Sequence, residues 1–143
     1  MSDEKVLIID DEQEFTQALA ERMTTRGMTV STSSSAIEGL KNVEEHSFDV
    51  VVLDLQMPEM DGIETLKVLK KKKPELQVIL LTGHATVEKG IEAMKLGAMD
   101  LLEKPADMTT LTEKIKKAQA QKMILVEKKS EERIKNIMET RGW

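Results

Sequence analysis

Five polar side chains follow the predicted buried strands of this chain, at the points where those strands end. They are the carboxylates of Asp10, Asp11 and Asp54, the hydroxyl of Thr82 and the ammonium of Lys104. Because the carboxyl ends of parallel strands meet at one edge of a sheet, with neighbouring strands about 4.8 Å apart, we expect these groups to share one crevice. Any one of them alone could be an ordinary turn or surface residue. Their joint placement at strand ends favours a functional site.

The three carboxylates of this set form a candidate site for a divalent cation. Clustered carboxylates repel one another and retain protons unless a cation neutralises them. Oxygen ligands are preferred by Mg2+ and similar hard ions, and the chain has no cysteine and only two histidines for a softer metal. With the cation bound, Thr82 and Lys104 could contact the oxygens of an incoming phosphoryl group while a carboxylate acts as the nucleophile.

Continuous rather than alternating apolar runs predict three strands that are buried on both faces of a parallel sheet. These runs are Val6–Ile9, Val50–Leu53 and Val78–Leu81, and weaker strand signals lie at Met28–Thr32 and Asp100–Glu103. A segment of helical periodicity follows each of them. Because strand–helix–strand crossovers are right-handed, this alternation predicts an α/β fold with a doubly wound (βα)5 parallel sheet.

Each of the five predicted helices has apolar residues at three- or four-residue spacing. These residues are Phe15, Ala18, Leu19 and Met23; Leu40 and Val43; Met60, Ile63, Leu66 and Leu69; Val87, Ile91 and Met94; and Leu111, Ile115 and Ala118. Ser35 and Glu38 form a capping-box pattern at the start of the second helix, and Asp107 is the expected N-cap of the fifth.

The length and composition of the chain restrict its class. Its 143 residues are 40% hydrophobic, which suits one domain with a core and a short extension. The net charge of −5 argues against non-specific binding to nucleic acid. Apolar runs reach four residues, whereas a membrane span needs roughly 20. The start is acidic where a secretory signal is basic, so we expect a cytoplasmic protein without membrane or direct nucleic-acid partners.

Four segments resemble the signature segments of the response-regulator receiver domain of two-component signalling. They are VLIIDD ending at Asp11, VVLDLQMPEMDG around Asp54, LLTGH around Thr82 and EKP around Lys104. The second segment is specific by itself, and order and spacing match over residues 3–120. The resemblance implies a flavodoxin-like strand order 2-1-3-4-5, with a receiver domain over residues 1–120 and a C-terminal helical extension over residues 121–143.

The resemblance also implies a role for each residue at the strand ends. Asp54 would accept a phosphoryl group from the histidine of a sensor kinase or a phosphotransfer protein. Asp11 and Asp54 would bind Mg2+ directly, together with the backbone carbonyl of Gln56. Asp10 would help to hold the cation, often through water.

Further residues of the resemblance concern the phosphoryl group after transfer. Thr82 would bond to its oxygen and Lys104 would pair with it, while the small Gly83 would leave room for it. The peptide bond between Lys104 and Pro105 is expected to be cis. Gly62 suits a sharp turn before the third helix.

Two positions bear on removal and readout of the phosphoryl group. By the resemblance, Gln56 and His84 would flank the path of the hydrolytic water, unless they are ordinary exposed loop residues. Receivers usually carry Tyr or Phe at the position of Leu101, so the usual aromatic switch is in doubt. We expect the surface of the fourth helix, fifth strand and fifth helix to respond through Thr82 and backbone shifts, and to bind a downstream protein.

Two other classes of function use a related fold. Phosphatases of the haloacid-dehalogenase type combine a strand-end Asp nucleophile with Mg2+ and a lysine, but they carry a D-x-D motif where this chain has Asp54-Leu55-Gln56. A flavin-binding module needs a phosphate loop after the first strand, where Asp10 and Asp11 would repel a phosphate. We therefore expect a signalling domain with self-catalysed phosphotransfer and autodephosphorylation, and not an enzyme.

The fifth helix is predicted to continue past the receiver-like region. Ala106–Arg141 contains neither Gly nor Pro, and about 33 helical residues would span roughly 50 Å. A second apolar stripe follows Ala118 in this segment and comprises Met123, Val126, Ile134 and Ile137. The extension could be a dimerisation helix, a linker or a frayed tail. A long coiled coil is weakly specified, because Glu127–Arg133 has no apolar residue.

Overall fold

The computed structural model describes residues 3–83 and 86–140, and in this part of the chain five strands alternate with five helices. The strands are β1 (Lys5–Ile9), β2 (Thr29–Ser33), β3 (Val50–Asp54), β4 (Gln77–Thr82) and β5 (Asp100–Glu103). The helices are α1 (Gln13–Thr25), α2 (Ala36–Glu45), α3 (Gly62–Lys72), α4 (Val87–Lys95) and α5 (Met108–Thr140). All strand pairs are parallel, and the order β2-β1-β3-β4-β5 confirms the predicted flavodoxin-like sheet.

The register of the sheet aligns the strand ends that carry polar residues. Ile9 at the end of β1 lies opposite Leu53, so that the residues following β1 meet the end of β3. Asp54 lies opposite Leu81 of β4, and Thr82 lies opposite Glu103 at the end of β5. The carboxyl ends of four adjacent strands therefore form one edge, as the sequence predicts.

Alternate residues of the central strands point to opposite faces of the sheet, and each face is covered by helices. One apolar cluster joins the first face to α2, α3 and α4 through Leu7, Ile9, Val51, Leu53, Val43, Leu66 and Ala93. The second cluster joins the other face to α1 and α5 through Val6, Ile8, Val50, Val52, Leu19, Met23, Leu111, Ile115 and Ala118. Burial on both faces explains why the strand sequences are continuously apolar.

Side-chain caps fix the starts of several helices. The Ser35 hydroxyl accepts a hydrogen bond from the Glu38 backbone N–H at 3.1 Å, which confirms the predicted cap of α2. The Glu38 carboxylate reaches back to Ser34, one residue earlier than a standard capping box requires. The predicted N-cap of α5 is also confirmed, because the Asp107 carboxylate accepts from the Thr110 backbone N–H at 3.0 Å.

Helix α4 lies where the sequence predicts it, but the apolar stripe that predicts it is on its outer face. Val87, Ile91 and Met94 are 80%, 53% and 49% exposed, while Ala93 is the buried residue of this helix. The spacing of the apolar residues therefore predicts the position of α4 correctly, but it does not predict which face of α4 packs against the domain.

Helix α5 is 33 residues long, which confirms the predicted extended helix. Leu111, Ile115 and Ala118 are buried against the sheet. The residues of the second apolar stripe are exposed, namely Met123, Val126, Ile134 and Ile137. The helix continues without interruption through residue 120, so the domain boundary placed there stays a prediction. Across residues 3–83 and 86–140, none of the helices combines the length and the apolar character needed to cross a membrane.

Candidate functional site

The carboxyl ends of β1, β3, β4 and β5 bring the predicted polar groups to one edge of the sheet. Asp10 follows β1, and Asp54 and Thr82 are the last residues of β3 and β4. All three are buried, with 3%, 4% and 0% of their surface exposed. Lys104 follows β5, and its backbone N–H donates to the Thr82 carbonyl at 2.7 Å, which ties the two strand ends together.

The Lys104 ammonium lies at the centre of this edge. Its Nζ is 2.8 Å from Asp10 Oδ2, 3.1 Å from Glu12 Oε1 and 3.7 Å from Asp54 Oδ2. The Lys104 side chain is 10% exposed. The ammonium therefore neutralises part of the negative charge of this edge and is already within reach of Asp54.

Three carboxylates of this edge could hold a metal ion. One oxygen each of Asp10, Glu12 and Asp54 lies within 4.8 Å of the others, and Asp10 and Asp54 are buried. Buried carboxylate oxygens this close together are the donor set that a hard cation such as Mg2+ fits. Among the residues that the structure describes, Asp11 is exposed and is not part of this group, so its role as a direct ligand stays a prediction.

Glu12 is the member of this group that the sequence analysis missed. It is the N-cap residue of α1 and has an extended backbone conformation, and its N–H donates to Asp10 Oδ1 at 2.9 Å. Three acidic residues in a row after a buried strand, Asp10 to Glu12, were the available signal, because each of them follows the strand end closely enough to reach this edge of the sheet.

The electrostatics of the site perturb both Asp54 and Lys104. Burial is the main cause that raises the pKa of Asp54, from 3.8 to about 6, and the neighbouring charges of Asp10 and Asp11 raise it further. The Gln56 backbone N–H, 3.2 Å from Asp54 Oδ1, and the Lys104 ammonium oppose this shift. Burial lowers the pKa of Lys104, but its hydrogen bonds to Asp10 and Glu12 and the charges of Asp10 and Asp54 together outweigh burial, so that this pKa is raised overall.

Gly62 is required by a close backbone approach and not by the sharp turn that the sequence suggested. A Cβ on Gly62 would lie 2.5 Å from Leu55 Cα and 2.7 Å from the Asp54 carbonyl oxygen. The Gly62 N–H donates to the Leu55 carbonyl at 2.8 Å, and the positive-φ glycines of the described chain are Gly27 and Gly97. Glycine at the start of α3 therefore lets this helix pack directly on the segment that follows β3.

The remaining predicted site residues have mixed outcomes. The cis peptide bond between Lys104 and Pro105 is confirmed. Leu101 is half-buried, and its Cδ2 would lie 3.3 Å from a Cβ on Gly90, so it packs against α4 as expected for a leucine. A Cβ on Gly83 would meet no atom within 4 Å, so the predicted room for a phosphoryl group stays a prediction.

His84 lies outside the described residues. Its expected position beside the hydrolytic water therefore stays a prediction, as does that of Gln56, which is exposed.

The comparison with protein families decides between the classes of function considered above. The response regulator receiver domain family matches residues 6–116. The chain belongs to this family. Receiver domains take a phosphoryl group from a phosphodonor such as a histidine kinase and bind Mg2+ at an acidic pocket. The haloacid-dehalogenase alternative has no support, consistent with the missing second Asp of its motif.

Individual relatives agree with this assignment. The chain is 37% identical over 120 residues to the transcriptional regulatory protein ZraR of Escherichia coli O157:H7, which covers 84% of this chain and 27% of that protein. It is 32% identical over 111 residues to the photosynthetic apparatus regulatory protein RegA of Cereibacter sphaeroides, covering 78% of this chain and 60% of RegA. The receiver domain thus spans about a quarter of the length of ZraR.

Solved structures show the same fold. A response regulator receiver domain protein from Clostridium thermocellum superposes with a TM-score of 0.81 at 39% identity, covering 85% of this chain and 98% of that one. The beryllofluoride-activated NtrC4 receiver domain dimer gives a TM-score of 0.79 at 34% identity, covering 82% and 98%. At 39% and 34% identity, the similarity to these two proteins is one of sequence as well as of fold.

Proposed function

We propose that Asp54 is the phosphoacceptor of this receiver domain and that the transfer depends on Mg2+. The observation that carries this proposal is the burial of Asp54 at the end of β3, with Asp10, Glu12 and the Lys104 ammonium around it. Burial raises the pKa of Asp54 to about 6, against the opposing charge of Lys104, so this carboxylate is still mostly ionised at neutral pH. An ionised Asp54 is the nucleophile that the reaction requires.

The proposed step is a phosphoryl transfer from the imidazole of a histidine kinase or a phosphotransfer protein. An Asp54 oxygen forms a bond to phosphorus while the phosphorus–nitrogen bond of the donor breaks and its electron pair returns to the imidazole. Asp10, Asp11, Asp54 and the backbone carbonyl of Gln56 are the proposed ligands of the cation, and the structure adds Glu12 as a candidate. Bound there, Mg2+ would supply positive charge for the phosphoryl oxygens.

Two further side chains would bind the phosphoryl group once it is on Asp54. The Lys104 ammonium, 3.7 Å from Asp54 Oδ2, would pair with one phosphoryl oxygen, and the buried Thr82 hydroxyl would bond to another. Gln56 and His84 are proposed to tune the lifetime of the phosphoryl group through the hydrolytic water. An unchanged dephosphorylation rate after exchanging each for Ala would contradict that last role.

Mass spectrometry after incubation with acetyl phosphate tests the assignment. One phosphoryl adduct is expected with Mg2+, and none with a chelator or in Asp54→Asn. Asp49→Asn is the matched control, because Asp49 precedes the same strand at its opposite end and should leave the adduct in place. An adduct of unchanged amount in Asp54→Asn would show that another residue is phosphorylated.

We also propose that this domain is a switch and not an enzyme with turnover, and that it acts in the cytoplasm without binding nucleic acid itself. The surface of α4, β5 and α5 would bind a downstream protein, and the exposed Val87, Ile91 and Met94 support this assignment. Turnover of a generic phosphate ester would contradict it, since a phosphoacceptor is labelled stoichiometrically. A homodimer through the extended α5 is a further part of the proposal.

A further inference from the structure

The Lys104 ammonium has a neighbour that the carboxylate chemistry does not account for. Its Nζ lies over the ring of Phe15, 4.4 Å from the ring centroid. Phe15 is in the first turn of α1, and the sequence analysis treats it only as one of the apolar residues of that helix. Among the described residues, this ring is the aromatic group in contact with a charged side chain of the site.

The ring is held in place independently of Lys104. Phe15 is half-buried and packs against the apolar cluster that joins α1 and α5 to the sheet. It therefore presents a rigid face to the site, whereas the four-carbon stem of Lys104 is flexible. A cation over an aromatic face is attracted by the negative potential of that face, and more strongly where water is excluded.

The carboxylates nearest to the ammonium are not that of the phosphoacceptor. Its shortest contacts are with Asp10 and Glu12, and Glu12 is a 62% exposed side chain, whereas Asp54 is farther away at 3.7 Å. The buried Asp10 holds the ammonium on one side, and the exposed Glu12 draws it towards solvent and away from Asp54. The Phe15 ring supplies a fixed contact inside the site.

We propose that Phe15 is a positioning residue whose ring holds the Lys104 ammonium between Asp10 and Asp54. The ammonium is then in place to pair with a phosphoryl oxygen during its transfer to Asp54 as well as afterwards, a consequence that rests on the proposed function. The ring itself touches neither phosphorus nor the cation. The contact between Phe15 and Lys104 does not itself involve a metal ion, so it can be measured in metal-free protein.

Proton NMR of the metal-free protein tests the contact directly. Ring currents should shift the Lys104 ε-methylene protons upfield, Phe15→Leu should abolish this shift, and Phe15→Tyr should keep it. Phe48→Leu is the matched control, because it also removes a buried ring, at the opposite end of β3, and should leave the Lys104 signals unchanged. Absence of the upfield shift in the unmodified protein would overturn the proposal.

Phosphorylation rates test the consequence. With acetyl phosphate and Mg2+, Phe15→Leu should slow labelling roughly two- to fivefold, as expected for loss of one cation–π contact, and Phe15→Tyr should restore the rate. In a Lys104→Met background, Phe15→Leu should have no further effect. An equal slowing with and without Lys104 would mean that Phe15 acts through packing alone.

The two measurements separate this proposal from the assignment of Asp54. If labelling occurs at another residue but the ring-current shift behaves as described, the assignment of Asp54 fails while the contact between Phe15 and Lys104 stands. If labelling is at Asp54 but Phe15→Leu changes neither the shift nor the rate, the positioning role fails alone.

Discussion

At the scale of single residues, the site has a charge balance that favours reactivity over stability. Asp54 is buried beside Asp10. The Lys104 ammonium is the shared ion-pair partner of these two carboxylates and of Glu12. Burial of the ionised form costs free energy unless it is fully compensated, which is why the pKa of Asp54 is raised to about 6. The uncompensated charge is what a bound cation can neutralise.

This balance predicts how the metal-free protein responds to pH. The pKa of Asp54 is about 6 when folded against 3.8 as its ordinary value, so protonation favours the folded state. The contribution is complete below about pH 4 and is lost as the pH rises through 6. At pH 7.5 in the presence of a chelator, Asp54→Asn should therefore stabilise the protein, raising its free energy of unfolding by on the order of 2 kcal/mol. Urea unfolding at pH 4.5 and 7.5 measures the difference, which should shrink at the lower pH.

Asp49 provides the control of opposite sign for this prediction. Burial raises its pKa, but hydrogen bonds from the Lys5 backbone N–H and the Lys122 ammonium outweigh burial and lower the pKa overall. Asp49→Asn should therefore destabilise the protein at pH 7.5, with a smaller effect as the pH falls. A destabilising effect of Asp54→Asn at pH 7.5 without metal would contradict the charge balance described here.

Among the helices and strands, β5 and α4 form the contact at which we expect phosphorylation to be read out. Leu101 of β5 packs against α4 at Gly90, a position where an added Cβ would already be 3.3 Å from its Cδ2. A leucine has neither a ring nor a hydroxyl with which to follow the Thr82 side chain. We therefore expect movement of Thr82 to reach α4 through the backbone of β4 and β5, which are joined where the Lys104 N–H donates to the Thr82 carbonyl.

Comparison of NMR spectra before and after phosphorylation tests this route. Amide shifts should change through Thr82 and Gly83 and through residues 86–103, with smaller changes in α2 (Ala36–Glu45), which is on the far side of β1. Asp54→Asn exposed to the same phosphodonor provides the unlabelled control. Unchanged shifts across β4, α4 and β5 would exclude this surface as the readout.

The sequence predicted the elements well because their physics is local. Burial on both faces makes β1, β3 and β4 continuously apolar, and caps such as Ser35 and Asp107 act within three residues. The strands extend beyond the apolar runs to Asp54 and Thr82, because backbone pairing does not depend on side-chain polarity. Features that depend on distant parts of the chain were missed, as shown by the outward face of α4 and by the close approach at Gly62.

In the candidate site, too, local features could be predicted from the sequence and features that depend on distant residues could not. The sequence predicted which residues follow strand ends, and parallel pairing brings Asp10, Asp54 and Lys104 together. It did not indicate Glu12, because the direction of that side chain depends on the backbone conformation between β1 and α1. Nor did it indicate the stacking of Lys104 on Phe15, since the two residues are 89 positions apart in the chain.

Over the molecule as a whole, α5 begins in the folded domain and continues beyond it as a long exposed segment. Its anchor at the base of the sheet is polar: the Lys122 ammonium lies 3.2 Å from Asp49 Oδ1 and donates to the Phe48 carbonyl at 3.0 Å, and Gln119 donates to Asp49 Oδ2 at 3.3 Å. These contacts tie α5 to the folded domain as far as Lys122, and the boundary after residue 120 stays a prediction. Beyond it, Met123 is 64% exposed and Ile134 is 58% exposed.

Exposed apolar residues on a helix this long favour contact with another helix, and a second copy of the chain is the proposed partner. The polar segment Glu127–Arg133 interrupts the stripe and limits its strength, so we expect association only at micromolar or higher concentration. Charge in the middle of the stripe should also make the association sensitive to salt.

Sedimentation of the full chain and of a version ending at Lys122 tests the dimer, each with and without phosphorylation. The full chain should associate and the shortened one should remain monomeric, while the shortened version keeps the anchor to Asp49 and hence its fold. Ile134→Lys should abolish association because it places charge in the stripe, whereas Ile91→Lys, on the exposed face of α4, should not. If Ile91→Lys alone abolishes association, copies of the chain meet through α4. If the full chain is monomeric up to high micromolar concentration, both with and without phosphorylation, the dimer is excluded and the extension of α5 serves as a linker.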